Sequence, residues 1–158
     1  MKILITYSSQ SGNTETLART IYDHMDGEKE ICPVEDAPPA DQYDLTAVGF
    51  WFQAGKPDPK AAQYLAACGP GATLFLFATH GAAGDSDHAR AGMASAAALA
   101  EGAQIEGAFS CQGEVNPKVL EKVRQKDTPP VWINDADGAK GHPDKKDFAD
   151  LRAILDKL

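Results

Sequence analysis

The first fourteen residues constrain the fold of this chain more than any other stretch. Residues 2–7 are mostly apolar and partly β-branched, which is typical of a buried strand. The apolar residues that follow recur at the spacing of a helix: Leu17, Ala18, Ile21 and Met25. Residues 8–14 are therefore predicted to turn from the carboxyl end of a strand into the amino end of a helix. Such a helix end carries unpaired N–H groups and a partial positive charge, which favour an anion.

This turn is rich in neutral hydrogen-bond donors. Four hydroxyl side chains lie within seven residues, on Ser8, Ser9, Ser11 and Thr14, and the carboxamide of Asn13 adds a further donor. Gly12 allows the backbone to come close to a ligand. The turn contains no Lys or Arg, so we expect a phosphate to be held there by neutral donors alone. An ordinary turn with a Ser or Asn helix cap is the simpler interpretation, but a cap needs fewer hydroxyls.

One run in the turn resembles the FMN-phosphate loop of the flavodoxin family: Ser9-Gln10-Ser11-Gly12-Asn13-Thr14. The pattern of that family is a hydroxyl residue, any residue, a hydroxyl residue, Gly, any residue and Thr, directly after an amino-terminal strand. The resemblance implies FMN as the cofactor and these six residues as its phosphate site. A Walker A loop and a Rossmann fingerprint fit less well, because neither glycine pattern is present.

Length and cysteine content indicate a single domain with reduced thiols. The 158 residues are 43% hydrophobic, which is enough for one core and one domain over residues 1–158. Three cysteines without Cys-x-x-Cys spacing argue against a disulfide framework or a zinc site. The chain has no apolar run near 18 residues and begins with a strand instead of a signal peptide. We therefore expect a cytoplasmic protein that does not enter a membrane.

The charge of the chain limits its partners. A net charge of −8 makes nucleic acid an improbable ligand, because phosphate backbones require a basic face. An acidic surface instead suits steering toward a basic patch on another protein.

Strands and helices alternate along the rest of the chain. Strands are predicted at 30–34, 45–51, 72–79 and 105–112, the first of them at a sheet edge because Pro33 cannot donate to a ladder. One helix is predicted to begin at Asp58-Pro59, a long one to cover 86–104, and a short one to open at Asn116-Pro117. A last helix has an apolar stripe made of Phe148, Leu151, Ile154, Leu155 and Leu158.

This alternation predicts an α/β fold with a parallel sheet covered on both faces. The flavodoxin resemblance implies a three-layer sandwich whose five parallel strands lie in the order 2-1-3-4-5. Parallel sheets bind ligands beyond the carboxyl ends of their strands, at the point where the strand order reverses. That point lies between the first and third strands, so the site is predicted in the loops after Tyr7, Trp51 and Thr79.

The second of these loops carries three consecutive aromatic residues, in the run Phe50-Trp51-Phe52-Gln53-Ala54-Gly55-Lys56-Pro57. Aromatic faces suit stacking on a flat, apolar ring, and we expect Trp51 or Phe52 to contact it. Strand alternation leaves open which of the three faces the core. In flavodoxins a small residue in this loop lets a peptide rotate on flavin reduction. The resemblance thus assigns residues 51–55 to the site, without deciding between Ala54 and Gly55 for that peptide.

The third loop resembles the family's loop around the pyrimidine edge of the flavin: Thr79-His80-Gly81-Ala82-Ala83-Gly84-Asp85. The resemblance assigns Thr79, His80, Gly81 and Asp85 to the cofactor site. Many short-chain flavodoxins stack a tyrosine from this loop on the outer ring face, and this chain lacks it. One ring face is therefore expected to be open to a substrate or partner. His80 is either a solvated loop histidine or a flavin contact.

Later residues are similar to one branch of the family, small flavodoxin-like proteins of anaerobic bacteria, some of which are associated with bilirubin reduction. The runs that carry this similarity are Gly49-Phe50-Trp51, Thr79-His80-Gly81, Cys111-Gln112-Gly113 and His142-Pro143-Asp144. Cys111 lies at the predicted carboxyl end of a strand, which makes it a further candidate to line the flavin. Such a cysteine is more often a small buried hydrophobe.

The function predicted from these features is that of an FMN-binding electron-transfer protein. It would be a monomer that shuttles electrons between a reductase and an acceptor protein. The alternative is a small FMN-dependent reductase of quinone or tetrapyrrole type, or an accessory subunit of one. A response-regulator receiver would need carboxylates where Ser8-Ser9 and Trp51-Phe52 stand. A non-flavin anion-binding module stays possible on the sequence alone.

Overall fold

The computed structural model describes all residues from 1 to 158. The chain forms six strands and five α-helices. The strands are β1 (Lys2–Tyr7), β2 (Glu28–Pro33), β3 (Leu45–Gln53), β4 (Lys56–Pro57), β5 (Thr73–His80) and β6 (Gln104–Gln112). The helices are α1 (Asn13–His24), α2 (Pro59–Ala67), α3 (Asp87–Leu99), α4 (Pro117–Arg124) and α5 (Lys145–Leu155). Three 3₁₀ segments cover Val34–Asp36, Ala40–Gln42 and Val131–Ala139.

The five long strands form a parallel sheet in the order β2-β1-β3-β5-β6. This order confirms the predicted fold class and places β2 at an edge, with Pro33 opposite Tyr7. The strand order reverses between β1 and β3, which pair from Ile3↔Leu45 to Tyr7↔Gly49. The carboxyl ends of these two strands and of β5 therefore meet at one edge of the sheet.

The core consists of two apolar layers, one on each face of the sheet. On one face α1 and α5 cover inward residues of the strands, including Ile3, Ile5 and Phe77. On the other, α2 and α3 cover Val48, Phe50 and Leu76. Along β3 and β5 the two sets alternate, as the period of two requires for a sheet buried on both sides. The result is the predicted three-layer sandwich.

The predicted elements agree with the structure except at some ends. Helix α3 ends at Leu99 and not at residue 104, because the chain turns at Gly102, where φ is 88°, before β6 begins at Gln104. Leu158 lies beyond α5 and is 45% exposed, so it is not part of that helix's buried stripe.

A short hairpin was not expected from the sequence. Strand β3 continues to Gln53 and pairs antiparallel with β4, Phe52 opposite Pro57 and Gln53 opposite Lys56. Ala54 and Gly55 form the two-residue turn, with φ values of 52° and 77°. Positive φ at both central residues is what a tight hairpin requires. The aromatic loop is therefore a hairpin that extends from the sheet edge. No helix of the protein has the length and apolar character that crossing a membrane would require.

Candidate functional site

A cavity of about 320 Å³ lies at the carboxyl ends of β1, β3 and β5, at the predicted switch point. Its volume is within the range of small-molecule sites. Ten of the residues predicted for the site line it: Gln10, Ser11, Asn13, Trp51, Phe52, Ala54, Gly55, Thr79, His80 and Gly81. Seven further residues complete the lining: His88, Gly113, Glu114, Val115, Asn116, Val119 and Trp132. Residues from all three predicted loops thus meet in one cavity.

The turn before α1 presents the end of that helix to the cavity. Gly12 is the residue before the helix, has a left-handed backbone with φ of 92°, and makes no side-chain cap. The Ser9 hydroxyl oxygen accepts hydrogen bonds from the N–H groups of Gly12 and Glu15, at 3.1 and 3.3 Å. The amides of Asn13 and Thr14, in the first helical turn, have no intrahelical acceptor. They are the donors that the turn can offer to an anion.

Ser9 and Gly12 border a second, smaller hollow of about 280 Å³ beside the turn. Lys60 also borders this hollow, and its Nζ lies 2.8 Å from Glu35 Oε1. Sequence reasoning placed no cation at the turn, and α2 brings this one near it. Because Glu35 pairs with Lys60, the turn still depends mainly on neutral donors.

The hydroxyl of Thr14 is not one of the groups that face the cavity. Thr14 is 1% exposed, and its Oγ1 lies 2.9 Å from Thr79 Oγ1 and 3.4 Å from the carbonyl oxygen of Phe50. Asn13 donates from Nδ2 to the carbonyl oxygen of Glu114 at 3.1 Å. These side chains link the turn to the neighbouring loops. Thr14 therefore contributes its backbone N–H at the helix end, while its hydroxyl joins α1 to β3 and β5.

The structure resolves which aromatic residues share a face. Phe50 and Phe52 lie on the same side, with ring centroids 6.1 Å apart and planes 8° apart. The ring of Phe52 packs on α3, where a Cβ at Gly92 would lie 2.3 Å from its Cε2 atom. Trp51 alternates to the other side of the strand. Both Trp51 and Phe52 line the cavity, but Phe52 is held by its neighbours on α3.

A buried carboxylate connects the first two loops. Asp58 is 1% exposed and caps α2 by accepting from the N–H of Ala61 at 3.3 Å. It also accepts a bond from the Ser8 hydroxyl at 2.6 Å and from the N–H of Trp51 at 3.2 Å. The predicted helix cap at Asp58 is confirmed, and the residue has a second role. It fixes the end of β1 against the end of β3, beneath the cavity.

His80 is a buried neutral base in the cavity wall. It is 5% exposed, and its Nδ1 lies 2.8 Å from the carbonyl oxygen of Ala82, so Nδ1 carries the proton. Burial lowers its pKa to about 4, a shift that the bond to Ala82 opposes and nearby His88 reinforces. Its Nε2 has no hydrogen-bond partner. His80 is thus not the solvated loop histidine that the sequence left open.

The sequence model of the flavodoxin domain family matches residues 4–156. This chain belongs to the flavodoxin domain family. A curated relative, the flavodoxin-like domain-containing protein BilS of Clostridioides difficile, is 28% identical over 160 residues, covering 94% of this chain and 90% of the relative. The family predicted from the turn at residues 9–14 is confirmed.

Solved flavodoxin structures share the fold. The Streptococcus pneumoniae TIGR4 flavodoxin aligns over 100% of this chain and 97% of its own, with a TM-score of 0.62 and 13% identity. A Lactobacillus acidophilus flavoprotein in complex with FMN covers 69% of this chain and 92% of its own, with a TM-score of 0.55 and 17% identity.

Six residues predicted for the site do not line the cavity: Ser9, Gly12 and Thr14 of the turn, described above, and Gln53, Asp85 and Cys111. Gln53 is exposed on the hairpin, and Asp85 is exposed before α3. Cys111 is 4% exposed and packs in the core layer under α1 and α5, where burial raises the pKa of its thiol. The structure therefore places Cys111 as a small buried hydrophobe, the commoner role for a cysteine of this kind.

Trp132 is the most consequential cavity residue that sequence reasoning missed. It belongs to the 3₁₀ segment Val131–Ala139, about fifty residues after the third loop, yet lies against Gly81 in the cavity wall. The segment has no helical or strand periodicity, and Pro129-Pro130 precedes it. An isolated tryptophan in such a loop was the only available signal.

Proposed function

We propose that this protein binds FMN and transfers electrons between a reductase and an acceptor protein. One observation carries the proposal: a single cavity joins the amino end of α1 to walls that contain Trp51 and Phe52. The first feature suits a phosphate and the second a flat ring. Membership of the flavodoxin domain family supports FMN over other ligands that combine a phosphate with a flat ring.

The residues at both ends of the cavity fit this cofactor. Ser11 and the amides of the first turn of α1 would hold the phosphate, with no cation inside the turn. Trp51 would contact the ring, and the backbone of Thr79 and Gly81 would reach its polar edge. Glu114 is the only acidic or basic residue besides histidine among the lining residues, so the cavity offers a largely uncharged setting. FMN would supply the redox chemistry, and the protein binding, orientation and exclusion of water.

The cofactor is tested by the absorption spectrum of the purified protein and by mass spectrometry of what it releases on denaturation. We expect FMN; FAD as the sole flavin, or no flavin uptake after incubation with FMN, would contradict the proposal. The Ser11→Ala variant should bind FMN about ten- to a hundredfold more weakly and riboflavin as before, because a hydrogen bond to a charged group contributes about 1.5–3 kcal/mol. Ser95→Ala on α3 is the matched control. Equal losses for both ligands would place the phosphate elsewhere.

The carrier role is supported by charge and size. The chain has 23 acidic and 15 basic side chains, which would steer it to a basic surface on a partner. Its reduction by a basic-faced flavodoxin reductase should slow as ionic strength rises, since the screening length is about 8 Å at 0.15 M. Oxidation of NAD(P)H by the purified protein should be slow or absent. Fast, salt-insensitive turnover with NAD(P)H and a small quinone would instead support the reductase alternative.

Cytoplasmic location and a monomeric state belong to the same proposal. Size-exclusion chromatography with light scattering tests the second, with an expected mass near that of one 16.8 kDa chain. A stable dimer would contradict it.

A further inference from the structure

The segment Val131–Ala139 forms a wall of the cavity on the side of the third loop. Trp132 lies so close to Gly81 that a Cβ there would be 3.0 Å from its Cε3 atom, and equally close to Val115 Cγ2. A side chain at position 81 would therefore crowd the indole and Val115, which would have to move by a few tenths of an ångström. The third loop, which has no side chain at Gly81, and the indole of Trp132 are therefore complementary in shape.

Hydrogen bonds hold this segment against the third loop. The N–H of Ala83 donates to Asp135 Oδ2 at 3.1 Å. Gln112 donates from Nε2 to the carbonyl oxygens of Asp135 and Gly81, at 3.1 and 3.4 Å. An ion pair between Arg124 and Asp137, 3.1 Å apart, ties the segment to α4. Trp132 is thus placed by contacts on the loop and on β6, and does not depend on the ligand for its position.

We propose that Trp132 is the aromatic residue that covers the bound flavin ring on the third-loop side, and that Asp135 and Gln112 are its positioning residues. This inference rests on the proposed binding of FMN. The third loop from Thr79 to Asp85 contains no aromatic residue other than His80, whose ring is buried beside Phe52 at 4.8 Å between centroids. An indole face from outside the loop supplies what the loop lacks. The outer ring face is then covered by protein and is not open to a small substrate.

The chain offers a direct test because it has only two tryptophans, Trp51 and Trp132. The Trp132→Ala variant should bind FMN and riboflavin more weakly by the same factor, about three- to thirtyfold, since aromatic stacking contributes on the ring and not on the phosphate. Trp132→Phe should keep most of the affinity. Ile133→Ala is the matched control, because Ile133 is a half-buried neighbour that does not line the cavity.

Flavin fluorescence gives a readout that a purely structural role would not change. A tryptophan in contact with the ring quenches flavin emission, so in the Trp51→Phe variant the remaining Trp132 should keep the bound flavin's lifetime short. The double variant Trp51→Phe/Trp132→Phe should lengthen it several-fold. Asp135→Ala removes the bond from the N–H of Ala83 and should loosen the segment. It should therefore lengthen the lifetime in the Trp51→Phe background while far-UV circular dichroism stays unchanged.

The two proposals fail in different ways. If the unmodified protein takes up no FMN, the proposed function is wrong. If it binds FMN, but the Trp132→Ala and Ile133→Ala variants have the same affinities for FMN and for riboflavin, the proposed role of Trp132 is wrong. Should Trp132→Ala not fold, the double variant Trp51→Phe/Trp132→Phe decides, because phenylalanine keeps most of the packing and removes the indole. An unchanged flavin lifetime in this double variant, against Trp51→Phe alone, would overturn the inference.

Discussion

Burial of His80 should make the stability of the folded protein depend on pH through this one side chain. Its pKa falls from an ordinary 6.5 to about 4 on folding, chiefly through burial. Between these values the unfolded chain binds a proton that the folded protein does not, so the free energy of unfolding decreases as pH falls. The contribution of His80 is fully present above pH 6.5 and is lost as pH approaches 4.

The magnitude follows from linkage. One unit of pKa difference corresponds to about 1.4 kcal/mol. Between pH 7 and pH 5 the unfolded chain gains most of a proton, while the folded protein gains almost none, which gives a loss of about 2 kcal/mol. Other groups also titrate in this range, but they are common to the protein and to a variant that lacks only this imidazole.

The variant is His80→Asn, whose Nδ2 can still donate to the carbonyl oxygen of Ala82. Urea unfolding of the FMN-free proteins at pH 7 and pH 5 gives the two free energies. We expect the unmodified protein to lose about 2 kcal/mol more than His80→Asn over that interval. Parallel pH dependence of the two proteins would refute a buried, neutral His80.

Three further substitutions test the contacts around the cavity. Asp58→Ala should lower the free energy of unfolding by about 3 kcal/mol, since it removes a helix cap and leaves the donors of Ser8 and Trp51 without an acceptor. Ser86→Ala, which removes the α3 cap and one hydrogen bond to the carbonyl oxygen of Ala83, should cost about 1 kcal/mol; equal losses would contradict the second role of Asp58. Gly92→Ala should destabilise by about 1–3 kcal/mol despite the better helix propensity of alanine, because its Cβ overlaps the Phe52 ring, and adding Phe52→Leu should restore melting temperature. Thr14→Val should lower stability by about 1 kcal/mol without changing the preference for FMN over riboflavin, as measured by parallel flavin titrations. If the variant lost affinity for FMN alone, the Thr14 hydroxyl would instead be a phosphate donor.

The sheet and the location of the cavity could be predicted because both depend on local patterns. Short apolar runs that alternate with segments of helical periodicity indicate parallel strands with helical connections. The carboxyl ends of such strands then share one edge of the sheet. Asp58-Pro59 is a local signal for a helix start, and the structure confirms the cap. Loops after β1, β3 and β5 therefore contributed the residues expected to meet.

Side-chain directions and distant contacts could not be predicted in the same way. The pattern at residues 9–14 does not distinguish a hydroxyl that faces a ligand from one that turns inward, and Thr14 turns inward toward Thr79. The approach of Trp132 to Gly81 depends on hydrogen bonds between the third loop, β6 and a segment about fifty residues downstream. No periodicity within that segment encodes where it packs.

The loops around the cavity are joined to one another by their own side chains, and this bears on how the site would work. Asp58 connects the loops after β1 and β3, and the Thr14–Thr79 pair connects the loops after β1 and β5. Asn13 and Asp135 extend the connection to the chain beyond β6. None of these hydrogen bonds requires a ligand. Binding would therefore cost little conformational entropy, because the loops are already ordered. A site fixed in this way suits a protein that must keep its cofactor in place while electrons enter and leave, because each transfer then requires little movement of the surrounding groups.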